Sequence, residues 1–395
     1  MDEATTDQVA DLHQKVRASI DEEDLDGAAA LILEAREQGV LRDLDGASFG
    51  GWVRILGEIA WREGRPKRAA RLVTGALGIQ GDGASLQELG HSWLLLAHIQ
   101  YEGRGRRRRA RQSAQRAVRL LDAARDPAVI EANQLLGDIL LDTGHERKAA
   151  RSFGLALDGM EAFEVVDRTQ RYELLDGLAE ALEAIGDIEA ACTARTRQVT
   201  SCDGPLERAD TLTNLGLLEA ALGRPAMASQ HVREAIVILD EYQPVAHPDS
   251  PLVDEAERGW LNMTRAVAME AYAHLLLDDD QPAEAVRVYR EYWEQACQGL
   301  TADQRAYRLA VLSEMEVVAG DHGAAQRHLL QFLDVERETE AGSDRSYRLE
   351  RAAAVALEMG DIGLAVRLLG LPPVDADPAV SEALECQPPD APTPQ

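Results

Sequence analysis

Between Val129 and Leu141 the chain is almost wholly apolar, broken only by Glu131, Asn133, Gln134, Gly137 and Asp138. A short polar break follows, Asp142-Thr143-Gly144-His145-Glu146. Apolar positions then return as Ala149, Phe153, Ala156 and Leu157, at spacings of four, three and one. Those spacings put the residues on one face of a helix. Glycine at the break suits the left-handed conformation that ends a helix. The segment predicts two helices joined by a tight turn.

The same unit recurs along the chain. Its signature is a turn residue, a polar pair, and an alanine five residues on: Gly64…Ala69, Gly144…Ala149, Gly186…Ala191, Gly223…Ala228, Gly360…Ala365. With Glu23, Gly105, Asp280 and Gly320 added as turn residues, seven of eight successive spacings lie between 37 and 42 and one is 57. Pro66, Pro225 and Pro282 lie two residues past their turns, where proline suits the first turn of the next helix. A second small residue sits seven before most turns (Gly57, Gly137, Ala179, Gly216, Ala273, Ser313, Ala353), where two helices must approach closely. A bulkier residue follows the alanine by four: Val73, Phe153, Val232, Tyr289, Leu329 and Leu369. A fixed period of this kind marks a repeat array.

These positions together resemble the tetratricopeptide repeat family, best in Leu136-Gly137…Gly144…Ala149…Phe153…Ala156 and Asn214-Leu215-Gly216…Gly223…Ala228…Val232…Ala235. The period is nearer 40 than the family's usual 34, the aromatic that often opens the first helix is mostly absent, and Arg195 stands where the fifth copy should be bulky and apolar. The resemblance implies an all-α, right-handed superhelical solenoid of about nine antiparallel helical hairpins over residues 1–370. The 57-residue spacing holds a Pro-rich insertion near 242–251, followed by a long helix from Leu252 to Leu277. Residues 371–395 hold seven of the 15 prolines and read as a disordered Pro-rich tail.

Composition narrows the chemistry. Hydrophobic residues are 45% of the 395, aromatics only 4%, so the core must be largely Ala and Leu, both strong helix formers. The formal net charge of −28 repels phosphate backbones, which argues against direct nucleic-acid binding. It fits either a salt-rich cytoplasm or a basic ligand. No apolar run is long enough to span a membrane, and the acidic N-terminus is no signal peptide, so a cytoplasmic chain is expected.

Catalytic and metal motifs fail their tests. Gly46-Ala47-Ser48-Phe49-Gly50 lacks the strand that a nucleophile elbow needs. Asp24-Leu25-Asp26-Gly27 and Asp43-Leu44-Asp45-Gly46 lack the glutamate that closes a calcium loop. The nine histidines and four cysteines form no metal-binding pattern. The expectation is a protein with no catalytic residues, no cofactor and no metal.

Two features remain. In the family the first helix of each hairpin lines a concave groove, which implies a partner-binding surface from Glu131, Gln134, Asp138 and Asp142 in the fourth hairpin and Glu173, Asp176, Glu180 and Glu183 in the fifth. Asp210 and Thr213 extend it. Such a groove favours a basic peptide or helix. The second feature is a basic knot in an acidic protein: Arg104, Arg106, Arg107, Arg108, Arg109 and Arg111, an expected patch for an anionic partner. The functional expectation is a protein–protein interaction scaffold. The alternative is a peptide-sensing regulator acting through a protein target, with residues 1–45 forming another acidic hairpin.

Overall fold

Every hairpin turn whose residues are described closes with the same pair of backbone hydrogen bonds. At Gly144, Gly144 N donates to Leu141 O (3.0 Å) and His145 N to Leu140 O (2.9 Å). Equivalent pairs form at Glu23, Gly64, Gly186, Gly223, Asp280, Gly320 and Gly360, and all eight turn residues have positive φ, from 57° to 80°. This double bond satisfies the last carbonyls of the first helix and needs the left-handed conformation. Glu23 and Asp280 adopt it without the freedom of glycine.

The second helix starts at once, in most hairpins in one of two ways. Asp24, Asp187, Asp321 and Asp361 cap it by accepting a backbone N–H three residues on. Where Arg65 or Arg224 takes the cap position, no side chain accepts, and Pro66 or Pro225 follows. Proline lacks the N–H that a cap would satisfy. The helix after Gly144 uses neither, with an uncapped His145 followed by Glu146.

The computed structural model describes residues 3–41, 44–103, 106–242, 251–296, 300–339 and 343–370. The chain clusters into two compact units, Met1–Cys202 and Asp203–Gln395. The N-terminal unit pairs α1 (Glu3–Asp21) with α2 (Leu25–Glu37), α3 (Gly46–Arg62) with α4 (Pro66–Gln80), and α5 (Leu86–Glu102) with α6 (Arg107–Ala124). It then pairs α7 (Val129–Leu141) with α8 (Glu146–Ala162) and α9 (Arg168–Ala184) with α10 (Ile188–Val199). The C-terminal unit pairs α11 (Pro205–Ala221) with α12 (Pro225–Glu241) and α13 (Pro251–Asp278) with α14 (Pro282–Ala296). Its last pairs are α15 (Ala302–Val318) with α16 (His322–Glu336) and α17 (Ser343–Glu358) with α18 (Ile362–Leu368). Within each unit a second helix packs on the first helix of the next hairpin, and α3, α5, α7 and α9 also touch in succession. The repeat is all-α, and no strand occurs among the described residues.

Packing follows the small-residue pattern. Ala69, Ala110, Ala149, Ala191, Ala228, Ala285, Ala325 and Ala365 are all buried. A Cβ on Gly137 would come within 2.7 Å of the Phe153 ring, and one on Gly216 within 2.5 Å of Val232 Cγ2. Only hydrogen fits there, because the bulky residue on the second helix fills the space.

Three details differ from the sequence reading. In the third hairpin Ala97, fully buried, holds the small position, thirteen residues before Ala110 where Gly57 and Gly137 lie twelve before Ala69 and Ala149, so the face shifts by one. In the last hairpin Leu369 is 43% exposed, because α18 ends at Leu368, which is buried in its place. The long helix after the insertion begins at Pro251 and spans 28 residues. Residues 243–250 of the expected insertion, the whole expected tail 371–395, and Arg104 lie outside the described residues.

Candidate functional site

The first helices of the N-terminal unit are joined side to side by a ladder of polar contacts between residues 33 to 41 apart in sequence. Trp61 Nε1 on α3 donates to Glu102 on α5 (2.6 Å). His98 on α5 meets Glu131 on α7 (2.8 Å), and Tyr101 donates to Asp142 (2.8 Å). Gln134 on α7 donates to Glu173 on α9 (2.9 Å). Trp61 and His98 also pack ring to ring at 5.5 Å. At one end, Glu23, Leu25, Trp61, Arg62 and Glu102 line an open cleft of about 640 Å³.

Asp138 is half-buried in the middle of this face. Burial pushes its carboxyl up to about 6, and Asp142, Glu173 and Glu180 add to the rise, while His98 opposes it. Glu180 is raised as well, by burial first and then by Asp176, with Arg195 opposing and Glu183 and Asp142 adding. Among the described residues Asp138, Glu173 and Glu180 have no salt-bridge partner. Three carboxylates from two helices therefore share one surface without an ion pair of their own.

The other predicted acids are already engaged. Asp142 is paired with Arg107 (2.5 Å), whose guanidinium lies 4.5 Å from the centre of the Tyr101 ring. Burial and Asp142 push the Tyr101 hydroxyl up to about 12, which keeps it a donor. Asp176 and Glu183 both bind Arg195, Glu183 at 3.3 Å. Arg195 is only 6% exposed. Burial alone lowers its pKa, but Asp176 and then Glu183 outweigh that and raise it. The residue that broke the bulky pattern is thus the internal counterion of two groove acids.

Asp210 and Thr213 belong to the C-terminal unit. Thr213 is 1% exposed and donates to Ala209 O (2.8 Å), so it is a core residue and offers nothing to a ligand. Asp210 is half-buried and accepts from Asn214 (3.4 Å).

The arginine knot also divides. Arg107 serves Asp142, and Arg111 donates to His145, the residue preceding α8 (3.2 Å). Arg106, Arg108 and Arg109 are exposed at the start of α6, which has neither a side-chain cap nor an acid in its first turn. Tyr101 and His98 belong to the polar ladder along the first helices and were not among the residues expected from the sequence to line the groove. The signal for them was the small residue Ala97, which sets the true register of α5.

Among the described residues no cluster of three or more His, Cys, Asp or Glu is arranged to hold a metal ion, and no helix is long and apolar enough to cross a membrane. No protein-family model and no curated protein matches the sequence. Solved structures do match in fold. The apo form of RapI superimposes with a TM-score of 0.63 at 10% identity, over 96% of this chain and 99% of that one. A signal-transduction ATPase from Pyrococcus horikoshii with a tetratricopeptide repeat sensor gives 0.50 at 13% identity, over 80% of this chain and 44% of that one. The fold is tetratricopeptide-like. Within this tetratricopeptide-like frame the polar ladder runs along the first helices, and the arginine-bearing starts of α4, α6 and α8 belong to the second.

Proposed function

We propose that this protein is a non-catalytic interaction scaffold whose N-terminal unit holds a basic peptide or helix of another protein against α7 and α9. The observation behind the reading is Asp138. Burial makes its carboxyl hard to ionise, Asp142, Glu173 and Glu180 add to that, and it has no ion-pair partner among the described residues. An arginine or lysine from a partner supplies the missing charge, and the gain is large where the surface is partly desolvated. Arg107 shows in cis how a guanidinium docks here, stacked on Tyr101 and paired to Asp142. Trp61 and His98 offer further ring faces next to the acids. The partner is a protein or peptide, and neither a cofactor nor a membrane enters the reading.

The test is fluorescence anisotropy with a labelled arginine-rich helical peptide. The triple variant Asp138→Asn/Glu173→Gln/Glu180→Gln should bind about tenfold more weakly than the parent, a loss of about 1.4 kcal/mol. Equal affinity would remove the proposal.

A second reading is a peptide-sensing regulator acting through a protein target. It is favoured by the likeness in fold to repeats described as a sensor. Small-angle scattering separates the two: a radius of gyration that falls on peptide saturation supports the sensor, and an unchanged profile supports the scaffold.

A further inference from the structure

The starts of α4, α6 and α8 carry the same exposed pair of cations in successive hairpins: Lys67 and Arg68, Arg108 and Arg109, Arg147 and Lys148. The rows are 41 and 39 residues apart, the period of the repeat. None of the six has a salt-bridge partner among the described residues. α4 contains no acid at all, and α6 contains six arginines against Asp122 alone. This stands out in a chain of net charge −28.

The rows are neighbours. Arg111, in the second turn of α6, donates to His145 just before α8, and Trp61 and Glu102 join the ends of the first helices that lead into α4 and α6. The array stops on both sides, where Asp26 and Gly27 on α2, and Glu189 and Ala190 on α10, take the same two positions. Local stability does not account for it, because cations at a helix start oppose the helix dipole.

We infer that this three-row array is a second docking surface, of opposite sign to the α7/α9 face, and that it binds a carboxylate-rich helix of another protein. The starts of α6 and α8 are tied by Arg111 and His145 (3.2 Å). On a helix, residues seven apart share one face and lie about 10.5 Å from each other along the axis. An acidic helix with Glu pairs every seven residues presents successive carboxylate pairs to successive rows. Nucleic acid is the poorer fit, since a polyanion approaching this chain is repelled by the rest of its surface.

The test uses the full chain and a labelled Ala/Gln helix of about 16 residues with Glu pairs seven apart. Arg108→Glu/Arg109→Glu should weaken binding by at least about tenfold at low salt. Arg108→Lys/Arg109→Lys should bind within about twofold of the parent, since charge is kept. All six positions are exposed, so no variant should lower the thermal midpoint, and the charge-reversed one should raise it slightly through the helix dipole. Two results overturn the inference: equal affinity of the charge-reversed variant for the peptide, or tighter binding of a single-stranded oligonucleotide of equal charge that is abolished by the same reversal.

Discussion

On α7 and α9 of the N-terminal unit, Asp138, Glu173 and Glu180 have no ion-pair partner among the described residues. On α13 and α15 of the C-terminal unit, Glu270 and Glu314 each have one. Glu270 is bound by Arg308 and accepts from the Tyr307 hydroxyl (3.1 Å). Glu314 is held by Arg351 (2.7 Å), which also donates to Tyr307 (3.2 Å). Burial, with Arg351 beside it, lowers Arg308 to about 10, and burial followed by Arg351 lowers His274. The same repeat geometry thus carries paired acids, such as Glu270 and Glu314, and unpaired ones, such as Asp138 and Glu180. Paired acids support the fold. An acid that burial and neighbouring carboxylates hold above its ordinary range works against it when ionised.

The comparison is broken most strongly at Arg308. It is 6% exposed, and removing its partner leaves a buried charge uncompensated. Glu270→Gln should destabilise the C-terminal unit by about 3 kcal/mol, read as a lower denaturant midpoint. No shift would mean that this pairing is ornamental and the contrast false.

Neutralising an acid of the other face should do the opposite. The Asp138 carboxyl is raised in the folded state, so between its ordinary value and about 6 the folded chain holds a proton that the unfolded chain has released. Stability from this group is present at low pH and lost as pH rises through about 6. Asp138→Asn should therefore stabilise the N-terminal unit by up to about 2 kcal/mol at pH 8 and by nothing at about pH 3. A destabilising effect at pH 8 would show that Asp138 has a countercharge after all.

The smallest effects lie at the turns. Asp24→Ala and Asp187→Ala each remove one cap from a second helix and should cost about 1 kcal/mol apiece, and Asp321→Ala slightly more because it also loses Arg290 (3.1 Å). Unequal losses for Asp24→Ala and Asp187→Ala, seen by hydrogen exchange at the two helix starts, would show that the turns are not equivalent.

The turns were the legible part of the chain. A left-handed residue that ends one helix and a polar or Pro-led start to the next are local requirements, so spacing alone located eight of them. The third was harder, because Gly103 and Gly105 both suit a turn, and no small or groove residue was assigned in its first helix. Arg195 was visible as a departure, but its counterions lie 12 and 19 residues back on another helix and pair only when the hairpin closes. The acidic face was legible in outline, since its positions follow the repeat. Which acids are free was not, since Gln134–Glu173 and Arg107–Asp142 form across stacked hairpins. The boundary between the units leaves no mark, because the spacing from Gly186 to Gly223 is ordinary.

The most direct measurement is an NMR titration of the Asp138 carboxyl, alone and with a saturating arginine-rich peptide. The carboxyl should titrate near 6 in the free protein. A docked guanidinium favours the ionised form, so the bound value should fall by at least about one unit, and affinity should rise by about tenfold as pH increases through 6. An Asp138 that titrates near 6 in both states, with peptide bound, would contradict the acidic face as the site.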